Sequence, residues 1–186
     1  MSERKNEILQ TAIELVADEG YASLTMRALA RASGIKLGTL QFHFRTYEDM
    51  LRALVDYIST AYHRSFESLR NRDEPPELSE IVLFVLEDRA GDALYSDRLW
   101  PQLWAMQQVE PLISDLVEDL YGYYVEIFEN ALERAGSRAP HAEALALISL
   151  LEGSTIFMGG GRRWASDAPA VHAAVLEFVD NKYGGL

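Results

Sequence analysis

Apolar residues recur along this chain three and four positions apart, the spacing that lines one face of an α-helix. In residues 4–20, RKNEILQTAIELVADEG, they fall at Ile8, Leu9, Ala12, Ile13, Leu15 and Val16. Gly20 then supplies a helix stop. The next segments are short. Thr25 stands where a cap opens a second helix, MRALARAS, with Met26, Leu29 and Ala30 inward, and Gly34 closes it. A third helix runs through LGTLQFHF, residues 37–44. Thr46 caps a long fourth helix, with Asp49 three residues on as the shorter-acid form of a capping box. Met50, Leu51, Leu54, Val55 and Ile58 form its apolar face, and it continues to about residue 69.

The clearest break is RNRDEPPE, charged and carrying Pro75 and Pro76 together. Helical patterns resume with ELSEIVLFVLEDRA, DRLWPQLWAMQQ and PLISDLVEDLYGYYVEIFENALERAG, then HAEALALISLLEGSTIFMGG and AVHAAVLEFVDNKY. SRAP and GGGRRWASDAP read as loops. No strand alternation and no internal repeat interrupts this pattern. The expectation is an all-α chain of about nine helices. Residues 1–46 form a three-helix helix-turn-helix unit. Residues 47–186 form a larger helical domain, entered through a connecting helix over 46–69.

Charge changes this picture. The chain holds 17 Lys or Arg against 29 Asp or Glu, a net charge of -12. Residues 24–47 nevertheless carry Arg27, Arg31, Lys36 and Arg45 and no acid, while residues 51–186 carry 11 basic and 22 acidic side chains. An acidic body argues against nonspecific coating of nucleic acid or an anionic membrane. Composition excludes other classes. No apolar run is long enough to span a membrane, and the N-terminal MSERKNEILQ lacks the apolar core of a secretory signal. Cysteine is absent, which excludes disulfides and thiolate metal sites and fits a cytoplasmic protein. The histidines His43, His63, His141 and His172 are scattered, and His141 with Glu143 lacks zinc-protease spacing. MGGGRR follows a helix and lacks the Lys-Ser/Thr of a phosphate loop. No catalytic constellation, cofactor site or metal site is expected, so the chain does not read as an enzyme.

The acid-free island has a use. Two short helices joined by the tight turn SGIK make a helix-turn-helix, with residues 5–19 packed across the pair and Ile35, Leu40 and Phe44 as core plugs. The second helix of such a pair enters the DNA major groove. Gly38 permits close backbone approach there. Leu37 and Thr39 suit a thymine methyl group, and Gln41 suits bidentate pairing with adenine. Phe42 lies two residues from both plugs and so faces away from the core. Lys36 and Arg45 flank the helix as phosphate contacts, and the helix starts at Thr25 and Thr46 offer free N–H groups to phosphate.

The run GYASLTMRALARASGIKLGTLQFHFRTYEDMLRALV, residues 20–55, resembles the TetR family of one-component bacterial transcription regulators. The features that carry it are Gly20-Tyr21, Thr25, Leu29-Ala30, Gly34-Ile35, Gly38-Thr39-Leu40 and His43-Phe44. An acid-plus-leucine start to the fourth helix completes them. The resemblance implies base reading by Leu37, Gly38, Thr39, Gln41 and Phe42, and phosphate contact by Thr25, Lys36, His43 and Tyr47. Three positions depart from the family pattern. Lys36 replaces a small capping residue, Gln41 a tyrosine, and Tyr47 a lysine, so less counterion release is expected than the lysine would give. The implied function is a homodimeric, sequence-specific DNA-binding regulator, a repressor released from a palindromic operator by a small-molecule effector. The rival is an all-α small-molecule-binding protein or enzyme without a DNA role.

In the larger domain, Trp100 and Trp104 are one helical turn apart, Tyr121, Tyr124 and Phe128 continue one stripe, and Phe157 and Met158 end another helix. Glu152 is the only acid within ALALISLLEGSTIFMGG. These residues are the candidate lining of an effector cavity. An acid among aromatics suits an organic cation, and a neutral aromatic or lipid-like effector is equally consistent. The helix holding Glu152 is apolar on nearly every side and so must be covered on more than one face. With the last helix it is expected to form a twofold four-helix dimer interface through Leu147, Leu151, Val171, Val175 and Phe178.

Overall fold

The computed structural model describes residues 3–70, 74–86 and 98–184, the side chains of 68–70 excepted. Its described residues form nine α-helices and no strand, as expected from the periodicity. They are α1 (Glu3–Glu19), α2 (Met26–Ala32), α3 (Leu37–His43), α4 (Tyr47–Arg70), α5 (Leu78–Leu86), α6 (Leu99–Met106), α7 (Pro111–Arg134), α8 (Pro140–Met158) and α9 (Ala168–Tyr183). Two 3-10 turns, Tyr21–Ser23 and Ala165–Asp167, were not expected, being too short to show a period. The end of the fifth expected helix, 87–90, and residues 71–73 of the charged break lie outside the described residues. No helix among the described residues is long and apolar enough to cross a membrane.

The chain folds as two compact units. One comprises Met1–Ser65 with Gly91–Leu120, the other Phe66–Ala90 with Tyr121–Leu186. In the first unit α1 buries all six of its apolar stripe residues. Leu29 and Ala30 of α2, Leu40 of α3, and Met50, Leu51, Leu54 and Ile58 of α4 are buried with them. Met26 and Ile35, expected inward, are half-buried. The helix ends follow local chemistry. Thr25 caps α2, its Oγ1 accepting from Ala28 N–H at 3.1 Å. Gly34 ends it at φ +66°, a conformation other residues rarely adopt. There the N–H of Ile35 reaches Ala30 O at 2.9 Å and that of Gly34 reaches Arg31 O at 3.1 Å, a Schellman turn. Thr46 and Asp49 form a reciprocal box at the start of α4, at 3.0 and 3.1 Å.

The second unit is built around aromatic rings. Tyr124 lies 5.2 Å from Phe128 and 5.8 Å from Phe66, and Phe66 lies 5.2 Å from Phe84. These centroid distances are those at which ring pairs add to plain area burial. The end of α9 is fastened to α8 by one carboxylate. Glu143 accepts from Ser137 Oγ at 2.6 Å and Tyr183 Oη at 2.8 Å, and pairs with Lys182 Nζ at 3.0 Å. The Ser137 hydrogen bond first, then those of Lys182 and Tyr183, hold the Glu143 carboxyl down at about 2.

A depressed folded-state pKa contributes stability above the unfolded value, near 4.5, that is lost as pH falls toward 2. Glu143→Gln is therefore expected to lower Tm by roughly 1–3 °C at pH 6, a discount suited to a partly exposed network, and by much less at pH 2. Thermal unfolding at both pH values checks this.

Candidate nucleic-acid interface

The seven residues of α3 divide sharply between packing and exposure. Leu40 is fully buried and is the buried residue of the helix, while Phe44 just beyond it is 2% exposed. Around the other faces Gly38, Thr39 and Gln41 are exposed, Leu37 and His43 are half-buried, and Phe42 is 87% exposed. An outward phenylalanine on so short a helix loses the favourable burial that usually places that residue inside. Its ring meets only the edge of His43 among the described ring pairs, at 5.7 Å.

Gly38 is informative because nothing in the chain requires it. A Cβ placed there meets no atom within 4 Å. Alanine would also favour the helix by about 1 kcal/mol. The missing side chain leaves open space on the exposed face of α3. At the same end of α3, Lys36 occupies the cap position and makes no side-chain capping bond, so no cap side chain satisfies the first N–H groups of the helix.

The charges agree with this surface. Arg27, Arg31, Lys36 and Arg45 are all exposed, and none belongs to an ion pair among the described residues. Elsewhere in the same unit three arginines are paired, Arg4 with Glu7, Arg52 with Glu48 and Arg98 with Asp18. Thr25 is exposed beside them. Tyr47 is half-buried, and burial, then the nearby charge of Glu110, raises its phenol above the usual value. Its hydroxyl thus stays a neutral donor. Arg27 and Arg31 were absent from the residues singled out by sequence for phosphate contact. The signal was present: both lie in the acid-free window, and neither is among the inward residues of α2.

One further helix is tied to this unit. Arg98 beside α6 pairs with Asp18 of α1 at 2.9 Å, and Gln102 Oε1 accepts from Tyr21 N–H at 3.2 Å. Trp100 stacks edge-on against Tyr62 at 5.7 Å, while Trp104 is half-buried. Of the other residues named for an effector cavity, Tyr124 and Phe128 are core residues of the second unit. Tyr121, Glu152 and Met158 are half-buried there, and Phe157 is exposed beside Trp164 at 6.2 Å. Of those named for a dimer interface, Leu147, Leu151 and Val175 are buried within the single chain, whereas Val171 and Phe178 are exposed. Leu145 and Leu150 are exposed on α8. No cluster of metal-ligating side chains occurs among the described residues.

Comparison with known proteins bears on this geometry. The family described as "Bacterial regulatory proteins, tetR family" matches residues 8–54, which span α1 to the start of α4. An HTH-type transcriptional repressor of Mycobacterium tuberculosis is 30% identical over 142 residues, covering 75% of this chain and 67% of that protein. The HTH-type transcriptional repressor KstR2 of Mycolicibacterium smegmatis is 32% identical over 75 residues, 40% of this chain, and the match spans only 37% of that relative's length. A transcriptional regulator from Saccharomonospora viridis, crystallised in complex with choline, superposes with a TM-score of 0.79 at 22% identity over 97% of both chains. That likeness is one of fold.

The division of α3 has a direct consequence for stability. Leu40→Ala is expected to cost about 2–5 kcal/mol, as buried leucine truncations do. Phe42→Ala is expected to stay within about 0.5 kcal/mol of the parent. Urea unfolding of both variants measures the contrast.

Proposed function

The chain belongs to the TetR family of bacterial regulatory proteins, and from that premise we propose that it is a sequence-specific DNA-binding transcriptional regulator, a homodimeric repressor released from its operator by a small molecule. The observation that carries this reading is the outer face of α3. It presents Gly38 with open space where a side chain would stand, and exposed Thr39, Gln41 and Phe42, within an unpaired basic surface on an acidic protein.

In this reading Leu37, Gly38, Thr39, Gln41 and Phe42 meet base edges. Gln41 pairs with adenine, and Thr39 and the Phe42 ring contact thymine methyl groups. Thr25, Lys36, His43, Arg45 and Tyr47 hold phosphates and set the register, joined by Arg27 and Arg31. The two units of a dimer present two copies of α3, so the operator is an inverted repeat with half-sites about 34 Å apart. Val171 and Phe178 of α9, with Leu145 and Leu150 of α8, supply the apolar face for self-association, and the inward Leu147, Leu151 and Val175 back it. The effector acts by binding better to a dimer whose reading helices are spaced wrongly for successive major grooves. The ties from Arg98 and Gln102 to α1 and the turn after it make α6 the part whose displacement shifts the reading head.

Selection of duplexes from a random library by the folded dimer is expected to enrich an inverted repeat. No enrichment overturns the reading. Gly38→Ala is the sharpest variant, because the fold gains up to about 1 kcal/mol of helix propensity while operator affinity falls about tenfold or more. Arg31→Ala, Lys36→Ala and Arg45→Ala are each expected to lower the slope of log affinity against log salt by about 0.9. Fluorescence anisotropy across a salt series reads both effects.

A further inference from the structure

The second unit contains an acid that neither the fold nor DNA contact uses. Glu152 sits in mid-α8, within a stretch that carries no other acid from Ala144 to Ser166. Its carboxyl accepts a hydrogen bond from Tyr121, on α7. No Lys, Arg or His among the described residues forms an ion pair with it. Burial, opposed by the Tyr121 hydrogen bond, pushes the carboxyl up to about 7. By contrast Glu143, at the start of the same helix, is saturated by three donors and held at about 2. One carboxylate on α8 is thus fully partnered, and the other is left with a single phenol.

An ionised carboxylate in such surroundings needs a counter-charge. The groups around it indicate which kind. Tyr121, the one donor, also lies 6.4 Å from Tyr124, which joins the ring cluster of Phe66 and Phe128. Aromatic faces attract cations, quaternary ammonium groups among them. The combination is one acid, one phenol that donates to it, and the rings next to that phenol.

We propose that Glu152 and Tyr121 form the recognition point for an organic ammonium effector, with Glu152 supplying the counter-charge and the Tyr121 ring a cation–π face. This rests on the reading of the protein as an effector-released regulator and names the chemistry of that effector. The ligand's positive charge would stabilise the ionised carboxylate, and its apolar substituents would lie against the rings. A neutral molecule of the same shape would leave the carboxyl without its counter-charge.

The test uses the full-length protein and a panel of ammonium ions of increasing size: tetramethylammonium, choline, benzyltrimethylammonium and tetraphenylphosphonium as a non-ammonium cation. Each ammonium ion is paired with its neutral carbon isostere, such as 3,3-dimethylbutanol for choline. Binding is read calorimetrically, without DNA, so that a failed operator search and a failed cation site give separate results. At least one ammonium ion is expected to bind, at least tenfold more tightly than its neutral isostere. Glu152→Gln is expected to weaken it about 10–100-fold, and Tyr121→Phe, which keeps the ring, about 3–10-fold. Circular dichroism confirms that each variant is folded. Glu152→Asp, which keeps the charge, is expected to retain most of the affinity if Glu152→Gln proves unstable. Equal binding of the neutral partners, undiminished binding by folded Glu152→Gln, or no binding by any member of the panel overturns the proposal.

Discussion

The burial of Leu40 against its neighbours is the contact on which the reading surface depends. A helix of seven residues has no independent stability in water, because nucleation costs more than so few hydrogen bonds return. Its direction is therefore set by docking. Leu40 supplies the buried anchor and Phe44 closes the end, with Lys5 Nζ 5.5 Å above the Phe44 ring. The Schellman turn at Gly34 brings the chain to the correct start, and the Thr46–Asp49 box removes it cleanly into α4. With both ends and one side fixed, the remaining residues of α3 are free of structural duty.

Electrostatics then gives this surface a direction. The protein is acidic overall, so its body opposes approach to a polyanion. Within the first unit Arg4, Arg52 and Arg98 have carboxylate partners, while Arg27, Arg31, Lys36 and Arg45 have none among the described residues. A cation already paired gains little from a phosphate, since it must give up one anion to take another. The acid-free stretch 24–47, with four exposed cations that no carboxylate neutralises among the described residues, marks the docking face.

Much of this was legible in the sequence because it is local. Thr25, Gly34, Thr46 and Asp49 act on backbone groups within five residues of themselves, and the α1 stripe has a strong period. What was not legible is long-range or lacks a phase. Arg98 reaching Asp18 and Gln102 reaching Tyr21 join residues about eighty positions apart, and no spacing rule connects them. On α8 apolar residues occur nearly all round, so the pattern could not say which side faces inward. Leu147 and Leu151 are turned in, and Leu145 and Leu150 out. The aromatic residues had the same ambiguity: Phe128 is core, while Phe157, which looks alike in sequence, is on the surface.

The open space beside Gly38 reaches beyond recognition to inheritance. Because Thr39, Gln41 and Phe42 are exposed and nothing lies within 4 Å of a Cβ at Gly38, a mutation at these positions carries little penalty to folding. Leu40 and Phe44, by contrast, are held in place by packing. Descendants of this chain are thus able to change operator while keeping their architecture, and their DNA preferences should drift faster than their cores.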